Sequence, residues 1–502
     1  MTVIDLDATR GTRDRVDEAD FVIIGTGAAG ATAARVLSEA GHDVALIEEG
    51  PAPPQAGFRA DAYSAFRSYW RDMGFQAARG RAAIPILQGR AVGGTTVVNG
   101  AIVHRLPEAV HAGWESDGAL DSRLSYDALT RTFETLDREL RVGPAPESVL
   151  GRNNGTLRAA VKTLGARGNV TLRNVDGCRG SGRCNQGCPT GRKQSMHRTF
   201  VPRAMRAGAR VYATCRAERV RFSRGRASGV SARFRHPVTG ERGPRLTLHA
   251  RRAVLVAASA VGTPMLLLRS GVRHPLLGRR FAAHPGTSVM GIFDEPVRMW
   301  SGATQGYETT EFLDDDMKME TVGVPLEIGA ARMPGFGADL VRRVADFGHV
   351  AQWGVQVKAR ARGRVRRGLF GDTAIHYDLT DEDVSRFRRG VARLIEMMFA
   401  TGAREVWPGV HGLPARITSA DAAAGLADMD DDPRRFHFIA AHLFGTAAMH
   451  PDHRRGVVGP DGGVHGVEAL HVIDSSVFPS NLGVNPQHSI CAIAWRLAAA
   501  LA

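Results

Sequence analysis

Lysine is nearly missing from this chain. Only four of its 65 basic side chains are lysines (Lys162, Lys193, Lys318 and Lys358), and the rest are arginines. In a chain rich in alanine and glycine, that bias reads as codon usage, so the net charge of +14 does not predict a nucleic-acid partner. No apolar run approaches the roughly 20 residues that a membrane span requires, so no span is expected. The first twenty residues mix both charge signs and hold no apolar stretch of the signal-peptide kind. A cytoplasmic protein is the expectation. Five cysteines in 502 residues are too few for a disulfide scaffold. What is present is ordinary for a globular protein: 43% hydrophobic and 23% charged residues. The length predicts two closely joined domains rather than one simple core.

One basic stretch stands out, VKARARGRVRRG at 357–368. Arg360, Arg362, Arg364 and Arg366 alternate with small or apolar residues, the period of a strand with one basic face. A solvated strand face explains it better than a docking site for an acidic ligand.

Near the N-terminus, FVIIGTGAAGATAARVLSEAGHDVALIEEG reads as strand, turn, helix, strand. Gly25 permits the tight turn, Gly27 lets backbone approach a pyrophosphate, and Gly30 allows close helix–strand packing. Ala28 and Ala29 open the helix, whose N-terminal N–H groups suit phosphate. Glu48, with Glu49 beside it, ends the second strand 23 residues after Gly25, within reach of a ribose hydroxyl. The stretch 251–272 reads as a buried strand, a small-residue turn and a helix opening at Thr263-Pro264, and 466–480 as a further strand ending in Asp474. Three remote stretches therefore predict one α/β domain.

With GRAVGGTTVVNGAIVHR (89–105), AVGTPMLLLRSG (260–271), HLFGTAAM (442–449) and LHVIDSSVFPSNLGVNPQHSICAIAWRLA (470–498) added, the chain resembles the glucose–methanol–choline (GMC) family of FAD-dependent oxidoreductases. The block CRGSGRCNQGCPTGRKQSM is most similar to the long-chain alcohol oxidases and related bacterial alcohol dehydrogenases. The resemblance implies a discontinuous Rossmann-like FAD-binding domain and an α+β substrate domain on an antiparallel sheet. It assigns the ADP half of FAD to Gly25, Gly27, Gly30 and Glu48. Gly93, Gly94, Thr95, Asn99 and Gly100 would lie along the pyrophosphate and the isoalloxazine edge. Val220 would offer backbone to adenine, and Asp474 with Ser475 would bind the middle of the cofactor. His442 and Asn485 would be the catalytic pair, with Pro486 beside them. Where some relatives attach FAD to a histidine, Val97 and Val98 stand here, which implies non-covalent FAD.

The chemistry can be argued from the residues. Alcohol oxidation removes a hydroxyl proton and a hydride from one carbon; flavin N5 takes the hydride. The protein must supply a base near neutrality, and His442 suits. Asn485 would fix the hydroxyl so that the C–H points at the flavin. Alternatively, Asn485 merely caps the last helix, with Pro486 as its first residue and Ile490, Ile493, Ala494 and Leu497 as its inner stripe. His450, His453 and His488 are rivals to His442 that read as packed or exposed histidines, and His284-Pro285 is a candidate lining of the substrate chamber.

Cys178, Cys184 and Cys188 form C-x5-C-x3-C, with Cys215 further on. The spacing is not the short ferredoxin run, and a Gly-rich loop with buried thiols, one disulfide being an option, is preferred over a cluster or zinc. A helix over 381–403 is expected, capped around Thr380. The expected division is an N-terminal extension (1–19), an FAD-binding domain (20–110, 200–276 and 436–502) and a substrate domain (111–199 and 277–435). The partners expected are an alcohol, bulky or apolar, and O2 or another electron acceptor. Rival readings are a flavin-retaining lyase of the hydroxynitrile-lyase kind and a basic binding protein with a vestigial nucleotide fold.

Overall fold

The computed structural model describes residues 3–9, 13–369 and 371–502. Its first layer is a seven-stranded sheet. The strand Arg15–Ile24 lies at its centre, parallel to Val44–Ile47 on one side and to Arg242–Val256 on the other. The apolar runs FVII and VALI explain this placement: every residue of both is buried, as a parallel sheet covered on both faces demands. Leu470–Val472 adds to the same sheet in parallel, pairing Val254 with Leu470. Three distant stretches thus share one hydrogen-bonded ladder. The central strand begins at Arg15, inside the stretch expected as an extension, because residues 15–19 continue the pairing with 246–250.

The second layer is a nine-stranded sheet built around the long strand Arg279–Phe293. That strand pairs antiparallel with Val350–Val357 along one side, and with Ile439–Phe444 and Ala403–Trp407 along the other. The helix Asp381–Ala400 packs on it and opens with a capping box between Thr380 and Asp383. The basic stretch forms a shorter strand than its alternation suggests, Gly363–Arg367, with Val365 buried and Arg364 and Arg366 exposed. Arg360 lies outside it and pairs with Glu382.

The strand carrying His442 hydrogen-bonds into this second sheet, His284 opposite His442. The boundary between the two layers therefore falls after Phe444 rather than at 436. The last helix, Gln487–Ala499, returns to the first layer and packs against the glycine-turn helix Ala28–Glu39.

Candidate active site

A cavity of about 900 Å³ lies between the two layers. On the nucleotide side its wall is the turn Gly25–Ala29, the acids Glu48 and Glu49, the loop from Gly94 to Gly100, and Asp474, Ser475, Asn485 and Pro486. Gly25 has φ +100°, and a Cβ there would sit 2.3 Å from the Ala257 carbonyl oxygen. Gly30 admits no side chain either: its Cβ would lie 1.9 Å from the Gly25 carbonyl oxygen. At Gly27 the nearest atom would be 3.8 Å away, so the turn stays open to a ligand there. No side chain caps the helix at Gly27, which leaves its first-turn N–H groups for an anion.

Glu48 is buried, which raises its carboxyl above the usual range although Thr26 and Gly50 donate to it. Glu49 is held by Arg71. Asp474 ties the segments together. Its carboxylate accepts from Ser259 N at 2.9 Å, Thr263 Oγ1 at 2.6 Å and Ser476 N at 2.8 Å. Two expected residues stand behind the wall. Gly93 spends its N–H on Thr26 Oγ1 at 3.0 Å. Val220 does not line the cavity, since its N–H donates to Ser270 Oγ at 2.8 Å; from the same strand Cys215, Arg216 and Ala217 reach the cavity instead.

His442 and Asn485 meet across the cavity. Asn485 Nδ2 lies 3.3 Å from His442 Nε2. Asn485 makes no capping bond: the helix begins at Gln487, with Pro486 in the cap position and no side-chain acceptor. An amide nitrogen only donates, so His442 Nε2 is an acceptor and its proton sits on Nδ1. That nitrogen lies 3.2 Å from His284 Nδ1, to which it donates. His284 Nε2 then carries the next proton, and it is buried without a partner. Burial, with Lys318 and His104 nearby, pushes the His442 imidazole down to about 3. His284 is pushed well down by burial and by His442. Both rings are therefore neutral at ordinary pH. A base of this kind works above its pKa and fails below it.

None of the rival histidines lines the cavity. His488 is fully buried, stacks on Phe133 and faces Asp137 Oδ1 at 2.8 Å. His450 accepts from Asp452 N and donates to the Asp117 carbonyl. His453 is exposed.

A buried charge cluster, not foreseen from the sequence, supports the substrate side. Lys318 Nζ lies 2.9 Å from Glu308 Oε2 and also bonds Glu320. His104 Nε2 reaches Glu308 Oε2 at 3.0 Å. Burial alone would raise the Glu308 carboxyl, but Lys318 and His104 outweigh it and hold the group ionised.

All five cysteines are free thiols, so the optional disulfide is not formed. Among the described residues no group of three or more histidine, cysteine, aspartate or glutamate side chains is arranged to hold a metal. Cys184 Sγ instead accepts from the buried Arg173 at 3.0 Å, while Lys193 Nζ donates to the carbonyls of Val97, Asn99 and Cys184. The loop thereby buttresses the cavity wall at Asn99.

The polar inventory of the cavity fits a flavin dinucleotide. Gln88 Oε1, Asn485 Oδ1 and Gln487 Nε2 are buried without partners at its wall, beside a glycine cradle that side chains would fill. Among the described residues no helix is long and apolar enough to cross a membrane.

Comparison with known proteins agrees with this geometry. A GMC-type oxidoreductase of Mycobacterium tuberculosis (strain ATCC 25618 / H37Rv), itself uncharacterized, is 37% identical over 486 residues, covering 96% of this chain and 76% of its own. The long-chain-alcohol oxidase FAO4A of Arabidopsis thaliana is 26% identical over 509 residues, covering 95% of this chain and 68% of its own. Pyridoxine 4-oxidase from Mesorbium loti superposes with a TM-score of 0.70 at 20% identity, over 95% of this chain and 98% of that one. A formate oxidase superposes with a TM-score of 0.72 at 16% identity, over 98% and 99% of the two chains. The profiles of the N- and C-terminal GMC oxidoreductase domains match residues 19–286 and 359–494. The chain belongs to the GMC oxidoreductase family of FAD-binding flavoproteins.

Proposed function

We propose that this enzyme oxidises a primary or secondary alcohol to the aldehyde or ketone. The observation that carries the reading is the 3.3 Å approach of Asn485 Nδ2 to His442 Nε2 on the cavity wall. The neutral Nε2 lone pair takes the hydroxyl proton, and the Nδ1–H to His284 keeps the ring in that tautomer. The Asn485 amide donates to the hydroxyl oxygen and orients the carbon. Bound FAD supplies the acceptor for the hydride. Gly25, Gly27 and the first turn of their helix would hold its phosphates, Glu48 a ribose, and Gly94 to Gly100 the approach to the ring. Val97 and Val98 offer no histidine for attachment, so the cofactor is held without a covalent bond; acid precipitation should release all of the yellow colour. The likeness to a long-chain-alcohol oxidase supports the donor class.

The test is anaerobic mixing of the FAD-loaded protein with a panel of alcohols. Bleaching of the flavin absorbance is expected, and its recovery on admission of air would identify O2 as an acceptor. Flavin that stays oxidised with every alcohol would end the reading and favour a non-redox use of the site.

A further inference from the structure

The reaction just described leaves one part of the cavity unused, the polar face of the nine-stranded sheet. Lys318 stands opposite Gln356, Glu320 opposite Gly354, and Glu308 opposite Glu320. Opposed residues share a face, as do alternate residues along a strand. Glu320, Gln352 and Gln356 therefore all point to the cavity, and all three line it.

Their hydrogen bonds fix what they present there. Glu320 Oε1 can only accept, and it takes Gln305 Nε2 at 2.8 Å and Gln356 Nε2 at 3.0 Å, while its other oxygen is held by Lys318. With its nitrogen committed, Gln356 turns its carbonyl oxygen away, and that oxygen is buried with no partner. Gln352 repeats the arrangement: its Nε2 donates to Ser288 Oγ at 2.7 Å, and its Oε1 is buried and unpartnered, in a residue only 4% exposed. Two carbonyl oxygens without donors are costly in a finished interior and call for a ligand that brings the donors.

The same strand registers both ends of such a ligand. Gly286 lies opposite Gln356, and His284, two residues earlier, lies opposite His442. The histidine and the glutamine are thus separated by two strand spacings, about 10 Å, across the sheet and about 7 Å along it. Allowing for the side chains, the gap spans several bonded atoms.

Resting on the alcohol reading above, we infer that the natural substrate carries a second hydroxyl, several carbons from the one oxidised, which donates its single proton to Gln356 Oε1; in a polyol a further hydroxyl donates to Gln352 Oε1. A hydroxyl suits better than an ammonium, because the acceptors are neutral carbonyl oxygens and Glu320 at this face already has its cation in Lys318. Phe436 and Phe438 also line the cavity and suit the hydrocarbon between the two hydroxyls. The substrate class is a diol or polyol with an apolar flank, rather than the simple bulky or apolar alcohol that the sequence suggests.

The experiment compares hexane-1,6-diol with hexan-1-ol, and 1,4-cyclohexanedimethanol with cyclohexylmethanol. Calorimetric binding to the FAD-loaded His442→Ala protein reads recognition without turnover. The diol of each pair should bind on the order of tenfold more tightly. Gln356→Leu should erase that preference, and Gln352→Leu should leave it in place for these diols. Equal binding within both pairs, or a preference that survives Gln356→Leu, would overturn the inference. Should no alcohol bleach the wild-type flavin, the alcohol reading would fail, yet the calorimetric preference would still decide whether this face selects a hydroxyl.

Discussion

Replacing His442 by alanine should slow anaerobic, alcohol-driven bleaching of the flavin on the order of 10² to 10⁴-fold, the range a positioned general base contributes. FAD content should not change, because His442 lies on the strand Ile439–Phe444 of the second layer, away from the glycine turn and Glu48. The size of the effect follows from the geometry. Its Nε2 is an unprotonated acceptor on the cavity wall, with an amide donor 3.3 Å away. Its other nitrogen is held at 3.2 Å by His284, so no competing orientation presents a proton to the substrate. His284→Ala should give a smaller loss of the same rate, since the base remains but its tautomer is no longer selected. Turnover unchanged in His442→Ala would defeat the base assignment.

Lys318→Met should cost about 3–5 kcal/mol of folding stability at neutral pH, the usual penalty for stranding buried charge. Lys318, Glu308 and Glu320 are each at most 2% exposed, and the lysine is the cation that bonds both acids. Its removal leaves two carboxylates with little access to water. The pH dependence gives the sign. Glu308 is held ionised by Lys318 against burial, so without the lysine burial pushes that carboxyl up and the group prefers to be protonated. The variant's deficit should therefore shrink as pH falls through the range in which the stranded acids take up protons. Adding Glu320→Gln should restore part of the loss. Denaturant unfolding of the FAD-loaded proteins measures both effects; a midpoint unaltered by Lys318→Met would mean that the cluster contributes nothing.

How far the molecule was legible in its sequence depends on whether the signal was local. The glycine turn is a short-range pattern, and each glycine has the steric reason expected of it, a backbone oxygen within 2.3 Å of any added Cβ at Gly25 and Gly30. The capping box at Thr380 is equally local. For Asn485 the choice between helix cap and cavity donor rests on where the helix begins. It begins two residues later, at Gln487, which frees the amide for His442. The partnership of His284 with His442 was not legible, because it is a cross-strand register 158 residues apart. The part of Cys215–Ser223 that borders the cavity was not legible for a related reason: strand register decides it, and composition does not report it. Gln352 and Gln356 did leave a trace. Two amides four residues apart in the apolar strand VAQWGVQV occupy one face at the strand period, and polar residues spaced so in a buried strand point to a lined cavity.

The most direct test of the alcohol chemistry at His442 is an isotope measurement. The FAD-loaded protein is mixed anaerobically with a bleaching alcohol and with its α-dideuterated form, and the flavin absorbance is followed at several pH values. The account predicts bleaching that deuterium slows severalfold, at a rate level down to about pH 5 because the base is neutral throughout that range. Bleaching at equal rates with both isotopes and with a midpoint near the ordinary imidazole pKa would contradict it.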